Sequence, residues 1–230
     1  MPARLEVLPD AGAVAEAAAG RIAEAAAAGG HIALAGGSTP RRALELLAGR
    51  GADLSRATLW FSDDRAVAPE HPDSNYRMAA ESLLDHLPEP RRPRVHRIEG
   101  ELGPDAAADR YEALVRAELG EAPVFDLVLL GLGPDAHTAS LFPGKPALDV
   151  ADRLVAAVPE PGMEPHVPRV TFTFPLIDAA RKVLFVVAGA DKAEAVGRAF
   201  GEPPDPGAPA GRVRDPTVLL DEAAAAGLRG

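Results

Sequence analysis

The sequence predicts an α/β fold, with a mostly parallel sheet and helices on both faces, and three observations predict it. Strand-sized apolar runs alternate with helical segments along the chain, with no internal repeat. The run Val124-Phe-Asp-Leu-Val-Leu-Leu130 is apolar almost throughout, which suits a parallel strand buried on both faces. Four runs release glycines, hydroxyls, acids or bases at their ends, before Gly36, Asp63, Gly131 and Gly189, as expected where strand C-termini meet a ligand-binding edge. At 230 residues the chain is sized for a single domain, 1–230.

Residues 10–28 are Ala-rich and helical by propensity, and Gly29-Gly30 ends that helix. Residues 31–35 form a short strand. Ser38 or Thr39 can cap the next helix, with Pro40 in its first turn, where a missing N–H is no loss. That helix runs to Gly49. Residues 58–62 are a strand that delivers Asp63-Asp64-Arg65; taken alone, the triplet reads as a solvated turn with a local ion pair. A proline-bounded loop follows, in which His71 reads as an ordinary loop residue, and Asp73 or Ser74 caps a helix reaching about Leu84. Residues 88–93 are a linker and 94–98 an edge strand. Residues 104–120 form an amphipathic helix with Tyr111, Leu114, Val115 and Leu119 on one side.

Beyond the central strand and its loop lie a strand at 153–158 and a Pro-rich loop at 160–168. An alternating strand at 169–174 comes next, and Pro175 opens a short helix. Residues 182–188 are a buried strand ending in Gly189-Ala-Asp-Lys192, and a helix then runs to Phe200. Residues 201–211, rich in Gly and Pro, read as a mobile surface loop. Residues 217–220 make the last strand, and Asp221 caps a final short helix.

Composition narrows the function. Apolar residues make up 47% of the chain, enough for a sizeable core, yet the longest apolar blocks are strand-sized and no membrane span is expected. The opening Met-Pro-Ala-Arg-Leu-Glu lacks a secretory pattern, and the absence of cysteine excludes disulfides and thiolate metal sites, so a cytoplasmic enzyme is expected. A net charge of −10 argues against nucleic acid or an anionic membrane as partner. An anionic substrate would then require a few Arg, Lys and helix N-termini to create a local positive pocket.

Two motifs carry chemistry. Gly36-Gly37-Ser38-Thr39-Pro40, between a strand and a helix, reads as an anion cradle or as a plain strand–helix turn; it is not a P-loop, since no Gly-Lys-Ser/Thr follows. Gly131-Leu-Gly-Pro-Asp-Ala136 formally matches a dinucleotide fingerprint. Pro134 sits inside the turn, however, and Pro143-Gly-Lys-Pro146 stops any helix, so no nucleotide cofactor is expected. Asp135 lies within this segment and His137 directly follows it, and imidazole titrates near neutrality. No second histidine stands at ligand spacing, so no metal is expected, and no nucleophile elbow is present. A general base acting on water or on a carbon acid remains.

Leu34-Ala-Gly-Gly-Ser-Thr-Pro40, Phe61-Ser-Asp-Asp-Arg65 with Ser74-Asn-Tyr76, and Gly131-Leu-Gly-Pro-Asp-Ala-His-Thr-Ala-Ser-Leu-Phe-Pro-Gly144 together resemble the 6-phosphogluconolactonase family, along essentially the whole chain. That superfamily also includes glucosamine-6-phosphate deaminase. The resemblance implies a Rossmann-like three-layer αβα sandwich without a nucleotide. It also implies hydrolysis of 6-phospho-D-glucono-1,5-lactone to 6-phosphogluconate, in the oxidative pentose phosphate pathway, without a cofactor. His137 would activate water and then protonate the leaving ring oxygen, and Asp135 would orient the water or the imidazole. Arg65 would face the oxyanion or the phosphate. Gly36, Gly37, Ser38, Thr39 and Lys192 would bind phosphate, with Asn75 and Arg169 as further substrate contacts.

Two departures from the family pattern stand out. Ala136 replaces a usual glycine, which is strained if that position needs a positive φ, and Asp64 replaces a usual glutamate. Two rival readings remain. In the deaminase pattern a glutamate that assists ring opening stands where this chain has Phe142, which cannot shuttle a proton. A non-catalytic sugar-phosphate-binding protein would keep the phosphate grip and make no use of a base at position 137.

Overall fold

The computed structural model describes residues 3–229. Seven strands form one parallel sheet: β1 (Arg4–Leu8), β2 (His31–Leu34), β3 (Thr58–Phe61), β5 (Arg94–Val95), β6 (Leu127–Leu130), β9 (Val183–Val187) and β10 (Thr217–Asp221). Their order across the sheet is β1-β10-β9-β6-β2-β3-β5, so β6 and β2 lie near the middle. Every residue of β6 is buried, as its unbroken apolar run requires of a strand covered on both faces. Helices α1 (Ala11–Ala27), α2 (Ser38–Gly49), α3 (Asn75–Ser82), α4 (Pro104–Leu119), α5 (Phe174–Asp178), α6 (Ala193–Phe200) and α7 (Glu222–Ala225) flank the sheet. This is the α/β sandwich expected from the alternation of runs.

The second sheet was not expected. Strands β4 (Asp63–Arg65), β8 (Arg169–Phe172) and β7 (Val155–Val158) pair antiparallel in the order β4-β8-β7. Residues 63–65 are therefore not a solvated turn. Only Ser62 separates β3 from β4, and it joins the two layers: its N–H and hydroxyl donate to Leu34 O, and its carbonyl accepts from Phe172 N–H. Residues 169–172 do not alternate between buried and exposed either, because both faces of β8 are covered and all four are buried.

Three other expectations change. Strand β1 escaped the sequence reading because it is an edge strand, exposed along most of its length, and carries no apolar run. Residues 201–211 are not simply a mobile surface loop, since Ala208, Pro209 and Ala210 are buried. Neither Ser38 nor Thr39 caps α2. The cap is Gly37, at φ 110°, with no side-chain hydrogen bond, and residues 38–39 already lie inside the helix. Asp10, Ser74 and Asp221 do cap α1, α3 and α7 through their side chains, accepting from Ala13, Arg77 and Ala224 N–H.

Candidate active site

Strands β2, β3, β6 and β9 all end on one edge of the parallel sheet, and the loops they release enclose a cavity of about 260 Å³. Gly36, Gly37, Arg65, Asn75, His137, Arg169 and Lys192 line it, together with Asp63, Met163 and Glu164. The imidazole and the glycine turn before α2 thus open into a common space. Ser38, Thr39 and Asp135 do not line it. The Ser38 side chain is exposed, so what residues 38–39 can offer an anion is backbone N–H at the first turn of α2, reinforced by the helix dipole.

Asp135 stands behind the imidazole. Its Oδ1 lies 2.5 Å from His137 Nδ1 and 3.1 Å from the His137 amide nitrogen. Burial raises the Asp135 carboxyl, but hydrogen bonding from His137 and the charge of the ring outweigh it and leave it below the usual carboxylate range. A carboxylate that accepts from Nδ1–H fixes the tautomer in which Nε2 carries the lone pair. Phe142 packs on the other side of the ring, centroids 4.4 Å apart. Between Asp135 and His137, Ala136 adopts φ 65° while fully buried, the left-handed conformation anticipated from its replacement of a glycine. It costs about 1–2 kcal/mol in a residue with a Cβ.

Two of the three cations come from the other sheet. Arg65 and Arg169 are register partners across β4 and β8. Arg65 Nη1 donates to Asp73 O at 2.6 Å and to Asn75 Oδ1 at 3.0 Å, while its buried Nε has no partner among the described residues. Arg169 is only 3% exposed and donates to the carbonyls of Val167 and Pro165, with its guanidinium carbon 5.6 Å from the Phe142 ring centroid. Burial and then the neighbouring Arg65 depress its pKa, though a guanidinium remains protonated regardless. Lys192 enters from the turn after β9, immediately before α6.

Beneath the arginines lies a buried carboxylate pair. Asp63 accepts from Ser140 Oγ at 2.6 Å, and the Asn75 side-chain amide donates to the Asp63 carbonyl at 2.9 Å. Asp64 accepts from the backbone N–H groups of Arg65, Asn75 and Tyr76 at 2.7, 2.6 and 3.0 Å and from the Ser74 hydroxyl. Burial nevertheless pushes its pKa up to about 6. Asp64 therefore organises the start of α3 and places Asn75 in the cavity wall. Asp63, Met163, Glu164 and Ser140 were not among the sequence candidates. The first two acidic positions of the triplet gave a signal; the Pro-rich loop that carries 163 and 164 gave none.

A fold and a cavity of this kind define an α/β enzyme with a cation-lined pocket of small-molecule size. Residues 9–220 match the family described as glucosamine-6-phosphate isomerases/6-phosphogluconolactonase, and the chain belongs to that family. A 6-phosphogluconolactonase of Synechocystis sp. is 42% identical over 209 residues, covering 87% of this chain and 85% of the relative. One from Streptomyces coelicolor is 39% identical over 240 residues, covering 94% and 90%. Among solved structures, 6-phosphogluconolactonase from Trypanosoma cruzi superimposes with a TM-score of 0.86 at 31% identity, over 100% of this chain and 99% of that one.

Proposed function

We propose that the chain is a single-domain hydrolase that converts 6-phospho-D-glucono-1,5-lactone to 6-phospho-D-gluconate in the oxidative pentose phosphate pathway. The observation that carries this is the shared cavity, which His137, held at Nδ1 by Asp135, lines together with Arg65, Arg169 and Lys192. The names of the relatives support the same substrate.

His137 Nε2 takes a proton from water as the water oxygen attacks the lactone carbonyl carbon, and Asp135 stabilises the resulting imidazolium. The tetrahedral oxyanion collapses with cleavage of the bond to the ring oxygen, which takes the proton back from Nε2. The substrate phosphate is held by Lys192 and by backbone N–H groups at the Gly36–Gly37 turn and the start of α2. The guanidinium pair neutralises the remaining negative charge and so favours the developing oxyanion. Asn75 fixes Arg65. The cysteine-free sequence suits a reducing compartment, and the reaction is accordingly placed in the cytoplasm. No described helix is long and apolar enough to cross a membrane.

The deaminase reading is not favoured, because position 142 is a fully buried phenylalanine packed against the His137 ring, where ring opening calls for a carboxylate. The test is a coupled assay that generates the lactone from glucose 6-phosphate and follows its decay above a protein-free blank. His137→Ala lowers kcat by about 10²–10⁴-fold while inorganic phosphate still binds. Full activity in that variant removes the mechanism, and phosphate binding without turnover in the parent chain would favour a sugar-phosphate-binding protein instead.

A further inference from the structure

Segment 201–211 and Arg198 lie outside the cavity, yet both are bonded to the backbone that carries the base. Arg198 projects from α6, donating from Nε to Asp205 Oδ2 at 2.9 Å and from Nη1 to the Asp135 carbonyl at 3.4 Å. The Asp205 N–H returns a bond to Arg198 O at 2.7 Å, and Gly207 N–H holds the other carboxylate oxygen at 2.7 Å. These Gly207 and Arg198 bonds keep the Asp205 carboxyl below its usual range, so the pair stays charged. Further along, Ala210 N–H donates to Ala136 O at 3.0 Å. Gly211 lies against the carbonyl of Ala199, where a β-carbon would meet it at 2.6 Å. The segment is therefore threaded between α6 and the loop that holds Asp135 and His137.

We infer that Arg198 is a positioning residue: with Asp205 and the 201–211 segment it clamps the Asp135–Ala136 backbone and so keeps the carboxylate seated on the His137 ring. The inference rests on the reading of His137 as the base. Its physical basis is the left-handed Ala136, which is held from one side by its own N–H bond to Gly133 O and from the other by Ala210. A residue strained in this way persists only where its surroundings fix it. Released, Ala136 relaxes toward negative φ, and because it separates Asp135 from His137, that rotation parts the two side chains. Lys192 caps α6, so the same helix also sets the spacing between a phosphate ligand and the base.

The test uses the full chain with Arg198→Met, Arg198→Lys and Asp205→Asn. It reads kcat and KM on the phosphorylated lactone and, independently, the far-downfield proton resonance of the short Nδ1–H bond to Asp135. Arg198→Met lowers kcat about 10–100-fold with KM held within about twofold. Arg198→Lys recovers part of the loss, Asp205→Asn falls between, and the resonance weakens in the same order. Unchanged kcat in Arg198→Met overturns the inference, as does a joint shift of kcat and KM with the resonance intact. Should Arg198→Met not fold, Asp205→Asn decides alone, since that side chain lies at the surface. Parent chain that hydrolyses the lactone while the resonance ignores every variant leaves the proposed function standing and removes the clamp. Parent chain inactive on the lactone, with a resonance that follows the variants, does the reverse.

Discussion

The backbone of Gly133 passes so close beneath the His137 ring that a β-carbon at that position would stand 2.0 Å from Nδ1. The glycine is there to make room, not to supply a positive φ. Gly133→Ala is therefore expected to push the imidazole out of line with Asp135. A displacement of about 1 Å costs on the order of 10²-fold in turnover. Steady-state kinetics paired with a thermal melt check this: activity collapses while the melting transition moves little. An alanine variant with parental kcat would show that the ring position does not matter.

Lys192 is expected to act on binding and not on the chemical step. Losing one charge-assisted bond to phosphate, by Lys192→Met, raises KM for the phosphorylated lactone about 10–100-fold and leaves kcat nearly unchanged. The same variant loses its preference over the unphosphorylated lactone. Equal loss against both substrates would move Lys192 to a different role.

Asp64 makes stability depend on pH. Its folded pKa, about 6, lies above the ordinary 3.8, so the folded state binds its proton more tightly than the unfolded chain. That contribution is complete below about pH 3.8 and is lost as pH rises through about 6. Relative to Asp64→Asn, which cannot titrate, the parent chain is expected to lose about 3 kcal/mol between these limits. Denaturant unfolding of both proteins at pH 4 and pH 7 measures it, and parallel curves would refute it.

At the opposite end of the sheet, Trp60 Nε1 donates to His31 Nδ1 at 3.1 Å, and the His96 ring lies 4.3 Å from the indole. Burial depresses both histidines, outweighing the pull of Asp126 and Glu118 on His31 and of Glu118 on His96. Depressed values mean that the stability present above the ordinary 6.5 is lost as pH falls through the folded values. Protonated His31 can no longer accept from the indole. The fluorescence of Trp60, the only tryptophan, is expected to report this loss, with a shallower acid limb in His31→Phe. Identical limbs would dismiss the histidine.

The parallel sheet, and the residues that the loops bring together in one cavity, were legible because each leaves a local mark. Buried strands are apolar runs, and the edge they share is flagged by glycines and by residues such as His137 and Lys192. The antiparallel layer left no such mark. Asp63–Arg65 is a three-residue strand whose partner, Arg169–Phe172, lies far along the chain, and its acids are buried because Ser140, Asn75 and backbone N–H groups reach them. Propensity favoured Ser38 or Thr39 as a cap, yet Gly37 took that place because its φ of 110° is open to glycine. Arg198 could not be found from sequence at all: its meaning lies in a carbonyl 63 positions away.

Arg65 and Arg169 face one another as cross-strand partners, and like charges set directly opposite oppose strand pairing. The edge of the second sheet therefore carries a standing repulsion whenever the cavity is empty of anions. An anionic substrate whose phosphate rests on Lys192 and the Gly36–Gly37 turn brings negative charge to the two guanidinium groups and offsets that repulsion, so the ligand acts as a missing structural part. Occupancy should tighten β4 against β8 before any bond in the substrate is broken.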